Sequence, residues 1–334
     1  MKDIYILGIE SSCDETSCSI VKNGHEEIST VILSQIDIHT LYGGVVPEIA
    51  SRNHVKDITF VINKCLKDAN LTMKDISAVA VTYGPGLIGS LLVGLEAAKT
   101  LAYVNDLPLI GVHHIRGHIY ANNIEKEMKF PLMALIISGG HTKLIYMKDH
   151  FDFKEIGGTL DDAVGECFDK VARVIGVGYP GGPVIDKLAK QGESTYHLPT
   201  PLQDDSLNFS FSGLKSAVIN LVHNETQRNN EINKENLCAS FEKAVVDSLT
   251  TKTINAMKKY NCKNLILAGG VAANTKIREE FEKLSKKENF EFSYPSMKYC
   301  TDNATMIAAA GYFLYKENKT SNLNLNGKSS DILR

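Results

Sequence analysis

Three short strand patterns, a helix, and a buried strand whose glycine turn opens another helix occur twice along this chain, and such a repeat leaves few ways to fold. In the first copy the strand patterns cover residues 4–9, 17–22 and about 28–33, with the turn pair Asn23-Gly24 between the last two. A helix follows at about 47–69, then the buried strand ISAVAVTYGPG, the apolar helix LIGSLLVGLEAAKTLAYV, a strand at LPLIGV and a helix carrying the histidines of HHIRGH. The second copy starts after residues 125–129 with LMALIISGG, KLIYMKD and a strand through 153–156. The helix DAVGECFDKVARVIG comes next, then a long helix at 236–260, the strand NLILAGG and a helix from VAANTKIREEFEKL. The repetition argues for a duplicated α/β domain.

A chain of 334 residues has room for two cores, since one core rarely grows beyond roughly 250–300 residues. The expected division is 1–128 and 129–301, with the apolar helix at 302–318 free to pack back on the first domain and 319–334 a polar tail. Two βββαβα halves with glycine turns between their first strands resemble the actin, Hsp70 and sugar-kinase superfamily. The expected fold is therefore actin-like (ASKHA, RNase H-like), its halves facing a nucleotide cleft.

The net charge of −3 supplies no global field for nucleic acid, so RNA contact has to come from a local patch or a partner. Seven cysteines, at 13, 18, 65, 167, 238, 262 and 300, include no CxxC pair, which fits neither a disulfide framework nor a cysteine zinc cluster. No stretch approaches the ~18 apolar residues that cross a bilayer, and the apolar run before Glu10 is shorter than a signal-peptide core. A cytoplasmic protein without membrane association is expected.

His114 and His118, four apart on a helical segment, share one face and can bind one metal ion. Zinc proteases use that spacing with a Glu after the first His, and Ile115 stands there instead. Asp302 lies where it would cap the apolar helix, and as a third ligand it would complete a two-His, one-carboxylate site. Four turns expose consecutive backbone N–H groups to an anion: SSCDETS, SGGHT at 138–142, YPGGPVID at 179–186 and AGGVAAN at 268–274. Carboxylates where a core disfavours them are Asp14, Glu15, Asp169 and Asp186; Asp169 has the option of pairing with Lys170, and Asp186 of facing solvent. Asn274 sits where it can cap a helix or donate to a ribose or base.

In order along the chain, GIESSCDETS, GGVVPEIASRNH, HHIRGH, SGGHT, GECFDKVAR, YPGGP, FSFSGLKSA, AGGVAAN and CTDNATMIAAAG resemble the TsaD family of bacteria and its archaeal and eukaryotic counterparts. The resemblance implies transfer of a threonylcarbamoyl group from threonylcarbamoyl-AMP to N6 of adenosine 37 in tRNAs that read codons beginning with A. Members were once called O-sialoglycoprotein endopeptidases, a label that Ile115 speaks against. Carried over residue by residue, the metal ligands are His114, His118 and Asp302, with Fe(II) favoured over Zn. The substrate contacts are Ile136, Ile137, Ser138, Gly139, Gly140, Asp169, Gly182, Asp186 and Asn274. The chain departs from the family at Glu242, where Gln is common, and at Ala304-Thr305.

The implied partners are tRNA, threonylcarbamoyl-AMP, a non-catalytic paralogue (TsaB-like) and a P-loop ATPase (TsaE-like). Such a donor is a mixed anhydride with a good leaving group, so the enzyme mainly aligns it and stabilises developing charge. The base that takes the N6 proton is not visible; Glu15 is a candidate. The rival readings are an ATP-dependent small-molecule kinase of the same fold, which needs no histidine pair, and a non-catalytic scaffold, which would have lost the triad.

Overall fold

The computed structural model describes residues 3–202 and 204–330. It splits into two compact units, Met1–Met128 with Pro295–Arg334, and Lys129–Tyr294.

In the first unit β1 (Tyr5–Glu10), β2 (Glu15–Lys22) and β3 (Glu26–Ser34) form an antiparallel meander. After α1 (Ile36–Thr40) and α2 (Pro47–Asp68), β4 (Ala78–Gly84) returns parallel to β1; α3 (Ile88–Val104) then leads to β5 (Leu109–His113), parallel to β4. Next come α4 (His114–Tyr120) and α5 (Asn122–Glu125). The sheet order is β3-β2-β1-β4-β5.

The second unit repeats the plan with β6 (Leu132–Ile137), β7 (Thr142–Met147) and β8 (Phe153–Gly158). Four helices follow, α6 (Val164–Ile175), α7 (Gly181–Ala189), α8 (Ser212–Gln227) and α9 (Lys234–Lys259), before β9 (Asn264–Ala268), α10 (Thr275–Glu288) and β10 (Glu291–Ser293). Its sheet order is β10-β9-β6-β7-β8, the first order read from the other edge, so the duplication extends to topology. The chain then rejoins the first unit through α11 (Met297–Cys300) and α12 (Ala304–Lys316).

Local chemistry explains the pattern. The pair Asn23-Gly24 takes φ of 52° and 80°, the left-handed conformations that a tight hairpin requires. The near-continuous apolar runs of β1, β4, β6 and β9 are strands covered on both faces. In the first unit one cover is α12, and small residues set its distance: a Cβ on Gly8 would lie 2.5 Å from the Ala304 carbonyl oxygen, and one on Gly311 2.6 Å from the Ala80 methyl. Helix α4 packs on α12 just as closely, since a Cβ on Gly117 would meet Ile307 Cδ1 at 2.7 Å. That seam carries the chain from the apolar core to the candidate metal ligands.

Several expectations change. The boundary placed at 301 lies at 294, because residues 295–300 belong with the first unit. The polar tail also makes contacts with the first unit: Ser321 bridges Leu109 on the β5 edge, and the Lys328 N–H donates to the Tyr83 carbonyl at 2.9 Å. Residues 331–334 of that tail lie outside the described residues. The turn at 179–186 is the opening of α7, and β10 and α8 are elements beyond the repeated sequence plan.

Candidate metal centre and substrate-binding turns

Strand β5 ends at His113, whose ring accepts from the Ile115 N–H at 3.2 Å and so caps α4. The helix starts at once with His114, and His118 follows one turn later on the same buried face. Asp302 is not the cap of α12: the cap is Asn303, whose side chain accepts from the Met306 N–H at 2.9 Å. With the cap taken by its neighbour, the Asp302 carboxylate is free to face the histidines. Its Oδ1 lies 3.1 Å from His118 Nε2 and 3.4 Å from His114 Nε2, and the two Nε2 atoms are 3.1 Å apart.

Three donors about 3 Å apart are what one ion requires when each sits roughly 2 Å from it. Two imidazoles and a carboxylate with further positions open suit non-haem Fe(II) and also Zn. Behind His114, Nδ1 lies 3.3 Å from Glu10 Oε2 and 3.2 Å from Ser12 Oγ. Glu10 is itself held by the Thr82 hydroxyl and the Ser12 N–H, each at 2.6 Å. This is the carboxylate–histidine arrangement that fixes a ligand's tautomer and turns Nε2 toward a metal. His118 has no such support; its Nδ1 is buried and has no hydrogen-bond partner among the described residues, and its ring stands edge-on to that of His114, with centroids 4.6 Å apart.

The electrostatics point the same way. Burial disfavours a charge on His114, but Asp302 and then Glu10 outweigh it and hold the imidazole well above its ordinary pKa. Burial also opposes ionisation of Asp302 and Glu10, yet His114 keeps both below the usual carboxylate range, with His118 adding to the effect on Asp302. Without metal the pocket therefore places a proton between two carboxylates, where a divalent cation supplies the same compensation. Glu15, at the start of β2, accepts from the Ser34 hydroxyl at 3.1 Å. Burial, then Asp302 and Asp14, push its carboxyl well above the normal value.

The expected substrate contacts all lie in the second unit. Ile136 and Ile137 are fully buried at the end of β6, so their side chains hold the sheet and only their backbone can serve a ligand. The turn after them closes when the Ser138 N–H donates to the His141 carbonyl at 2.8 Å and the Ser138 hydroxyl accepts from the His141 N–H at 3.1 Å. Gly139 and Gly140 are exposed there with open space around them. The Gly165 N–H reaches the Ser138 carbonyl at 3.2 Å, and Gly269, at φ 92°, comes so close that a Cβ would lie 2.5 Å from the Ile137 oxygen. Three turns thus meet at Ser138.

Asp169 does not pair with Lys170, which instead binds Asp162 and Glu166. Its Oδ1 accepts from the Gly181 N–H at 2.7 Å, and burial raises its pKa. That bond fixes the start of α7, where Gly182 leaves open space. Asp186, one turn on, accepts from the Thr275 N–H at 3.1 Å and pairs with Lys190 at 2.9 Å, so it is not merely solvated. Asn274 caps α10 by accepting from the Ile277 N–H at 2.9 Å, and its Nδ2 donates to Glu242 Oε1 at 2.7 Å. Asp186, Asn274 and Glu242 therefore form one cluster around Thr275.

The roles of Glu10, Ser12 and Asn303, and the bond between Asn274 and Glu242, emerge only from the fold. A carboxylate closing the apolar strand YILGIE was the available signal for Glu10.

A family model described as "TsaD: tRNA N6-adenosine threonylcarbamoyltransferase" matches residues 26–309. The tRNA N6-adenosine threonylcarbamoyltransferase of Staphylococcus carnosus is 57% identical over 98% of this chain and 96% of its own length. That of Staphylococcus aureus is 56% identical over 98% and 97%. Among solved structures, component A of (R)-2-hydroxyglutaryl-CoA dehydratase from Acidaminococcus fermentans is 16% identical, with a TM-score of 0.54 over 95% of this chain and 99% of that one. Full-length HypF in its phosphate- and nucleotide-bound form is 15% identical, with a TM-score of 0.64 over 94% of this chain and 46% of that one. At those identities the two structures establish the actin-like fold alone.

Proposed function

The chain belongs to the tRNA N6-adenosine threonylcarbamoyltransferase family, and we propose from this premise that it moves the threonylcarbamoyl group of threonylcarbamoyl-AMP onto N6 of adenosine 37 in tRNAs reading codons that begin with A. The observation that carries the reading within the molecule is the convergence of His114, His118 and Asp302, backed by Glu10, in a pocket built by α4 and α12. A scaffold without chemistry has no use for such a buried, charge-compensated group, and a kinase acting through an acidic base has no use for the histidines.

In the proposed reaction N6 attacks the carbamoyl carbon, the bond from that carbon to the phosphate oxygen breaks, AMP leaves with the electron pair, and N6 gives up a proton. The backbone donors of the turn at 138–140 bind the adenylate phosphate, and its nucleoside lies at Asp169, Gly182, Asp186 and Asn274, where carboxylates and an amide can bond ribose hydroxyls and base. His114, His118 and Asp302 would hold one divalent cation, Fe(II) favoured over Zn, which supplies a template and Lewis acid for donor oxygens. Glu15, whose carboxyl is pushed well above the usual range by burial, Asp302 and Asp14, is the proposed base: its ionised form would take the N6 proton.

The test is reconstitution with threonylcarbamoyl-AMP and unmodified tRNA, followed by mass spectrometry of the digested nucleosides. Threonylcarbamoyladenosine at position 37 with stoichiometric AMP is expected. Modification of a free sugar or peptide in place of tRNA would overturn the function.

A further inference from the structure

A cavity of about 540 Å³ opens beside the cluster around Thr275, between the C-terminal end of α7, the first half of α9 and the start of α10, and Glu242 lines it. Glu242 is almost fully buried on α9, and its Oε1 receives the Asn274 amide at 2.7 Å. Because Asn274 Oδ1 is committed to the Ile277 N–H, the orientation of that amide is set from both ends, which leaves one Nδ2 proton for a ligand.

We propose that Glu242 is a positioning and specificity-determining residue for the nucleoside end of the substrate: as a neutral acid it holds the Asn274 amide and offers its own O–H to an acceptor on the base, so that the nucleoside binds with uptake of a proton. The proposal rests on the reading that Asn274 contacts substrate.

An ionised Glu242 could only accept hydrogen bonds, whereas the acid with Oε1 occupied still has a donor. The surroundings favour the acid. Burial pushes its carboxyl up to about 7, against the Asn274 bond and the more distant Lys276 and Lys190, while Asp186 adds to the rise. Lys190, which caps the C-terminus of α7, is already engaged by Asp186 and Thr275, and Lys243 on its own helix by Asp247. From α10, Glu279 and Glu280 bring further negative charge to the cavity beside Lys276. A base that displaces water from the cavity strips solvent from the carboxyl, raises its pKa further and draws in a proton.

The experiment is calorimetry with the full chain and adenosine, which has no group titrating near neutrality. Measurements between pH 6 and 8.5, in buffers of differing ionisation enthalpy, compare the wild type with Glu242→Gln and Asn274→Ala. Wild type should take up a proton and lose affinity by up to tenfold per pH unit above neutrality. Glu242→Gln, which keeps an acceptor and a donor, should bind without proton uptake and hold its affinity across the range. Wild-type binding that is independent of pH, or a pH dependence that survives in Glu242→Gln, overturns the role of Glu242. Absence of adenosine binding, or binding unchanged in Asn274→Ala, instead overturns the placement of substrate at Asn274 and the inference with it.

Discussion

Glu10 holds one nitrogen of His114 while Asp302 faces the other: Oε2 of Glu10 lies 3.3 Å from Nδ1, and Oδ1 of Asp302 3.4 Å from Nε2. The ring is thereby fixed in the orientation a metal requires before any metal arrives. Replacing Glu10 by Gln keeps the shape and the contact with Thr82 but removes the charge that polarises the imidazole. Metal affinity should fall by about 10- to 100-fold, the usual cost of losing such a partner, with little change in fold. Competition against a chromogenic chelator measures it, and an unchanged constant would show that Glu10 is only structural.

Removal of a ligand should be more severe. His118→Ala deletes an Nε2 that lies 3.1 Å from both Asp302 Oδ1 and His114 Nε2. Metal content by elemental analysis and transferase activity should be lost together; undiminished metal in the variant would refute the ligand set.

The ligands should also be sensitive to a residue that touches none of them. Gly8 lets α12 approach β1, and Gly8→Ala would place a methyl 2.5 Å from the Ala304 oxygen, two residues beyond Asp302. Overpacking of this kind costs about 1–3 kcal/mol. The expected outcome is a lower urea midpoint together with weaker metal binding, whereas Gly139→Ala, in open space, should leave both unchanged.

How far the sequence spoke for this site depended on what each residue needed to reveal. Buried strands and apolar helices announce themselves by composition, so the duplicated plan and the histidine helix were legible. Residues 291–293 are too few to carry a period, and α8, SGLKSAVINLVHNETQ, opens inside the turn-like FSFSG and reads as polar loop. At Asp302-Asn303 two adjacent residues can each cap a helix, and only the path of the backbone assigns the cap to Asn303 and leaves Asp302 for the metal. The partner of His114 Nδ1 arrives from β1, some hundred residues away, and pairing at that distance leaves no local pattern.

The raised pKa of His114 gives a pH dependence with a definite sign. Above the ordinary imidazole range the unfolded chain has lost this proton and the metal-free folded protein still holds it, so stability falls as pH rises toward the folded value. Stability gained from His114 is thus fully present below the unfolded pKa. Metal must displace the same proton, so metal affinity should rise with pH over that window, with about one proton released per ion bound. Thermal melts of metal-free and metal-loaded protein across pH 6–9 should diverge; parallel curves would contradict the electrostatic account.

The last expectation concerns the acceptor. Phosphate contacts supply most non-specific affinity for RNA, and a chain of net charge −3 has few basic residues to spare. Arg52, a natural candidate, is already bound to Glu48 at 2.7 Å on an exposed helix face. This chain alone should therefore hold unmodified tRNA weakly, near the non-specific range of about 10⁻⁴–10⁻⁶ M, with an affinity that drops as salt is added. We expect the proposed partners, a non-catalytic paralogue and a P-loop ATPase, to supply the missing positive surface or to reset the site after each turnover. Filter binding and multiple-turnover assays with and without those proteins separate the two contributions. Tight, salt-insensitive tRNA binding and sustained turnover by the isolated chain would show that it needs neither.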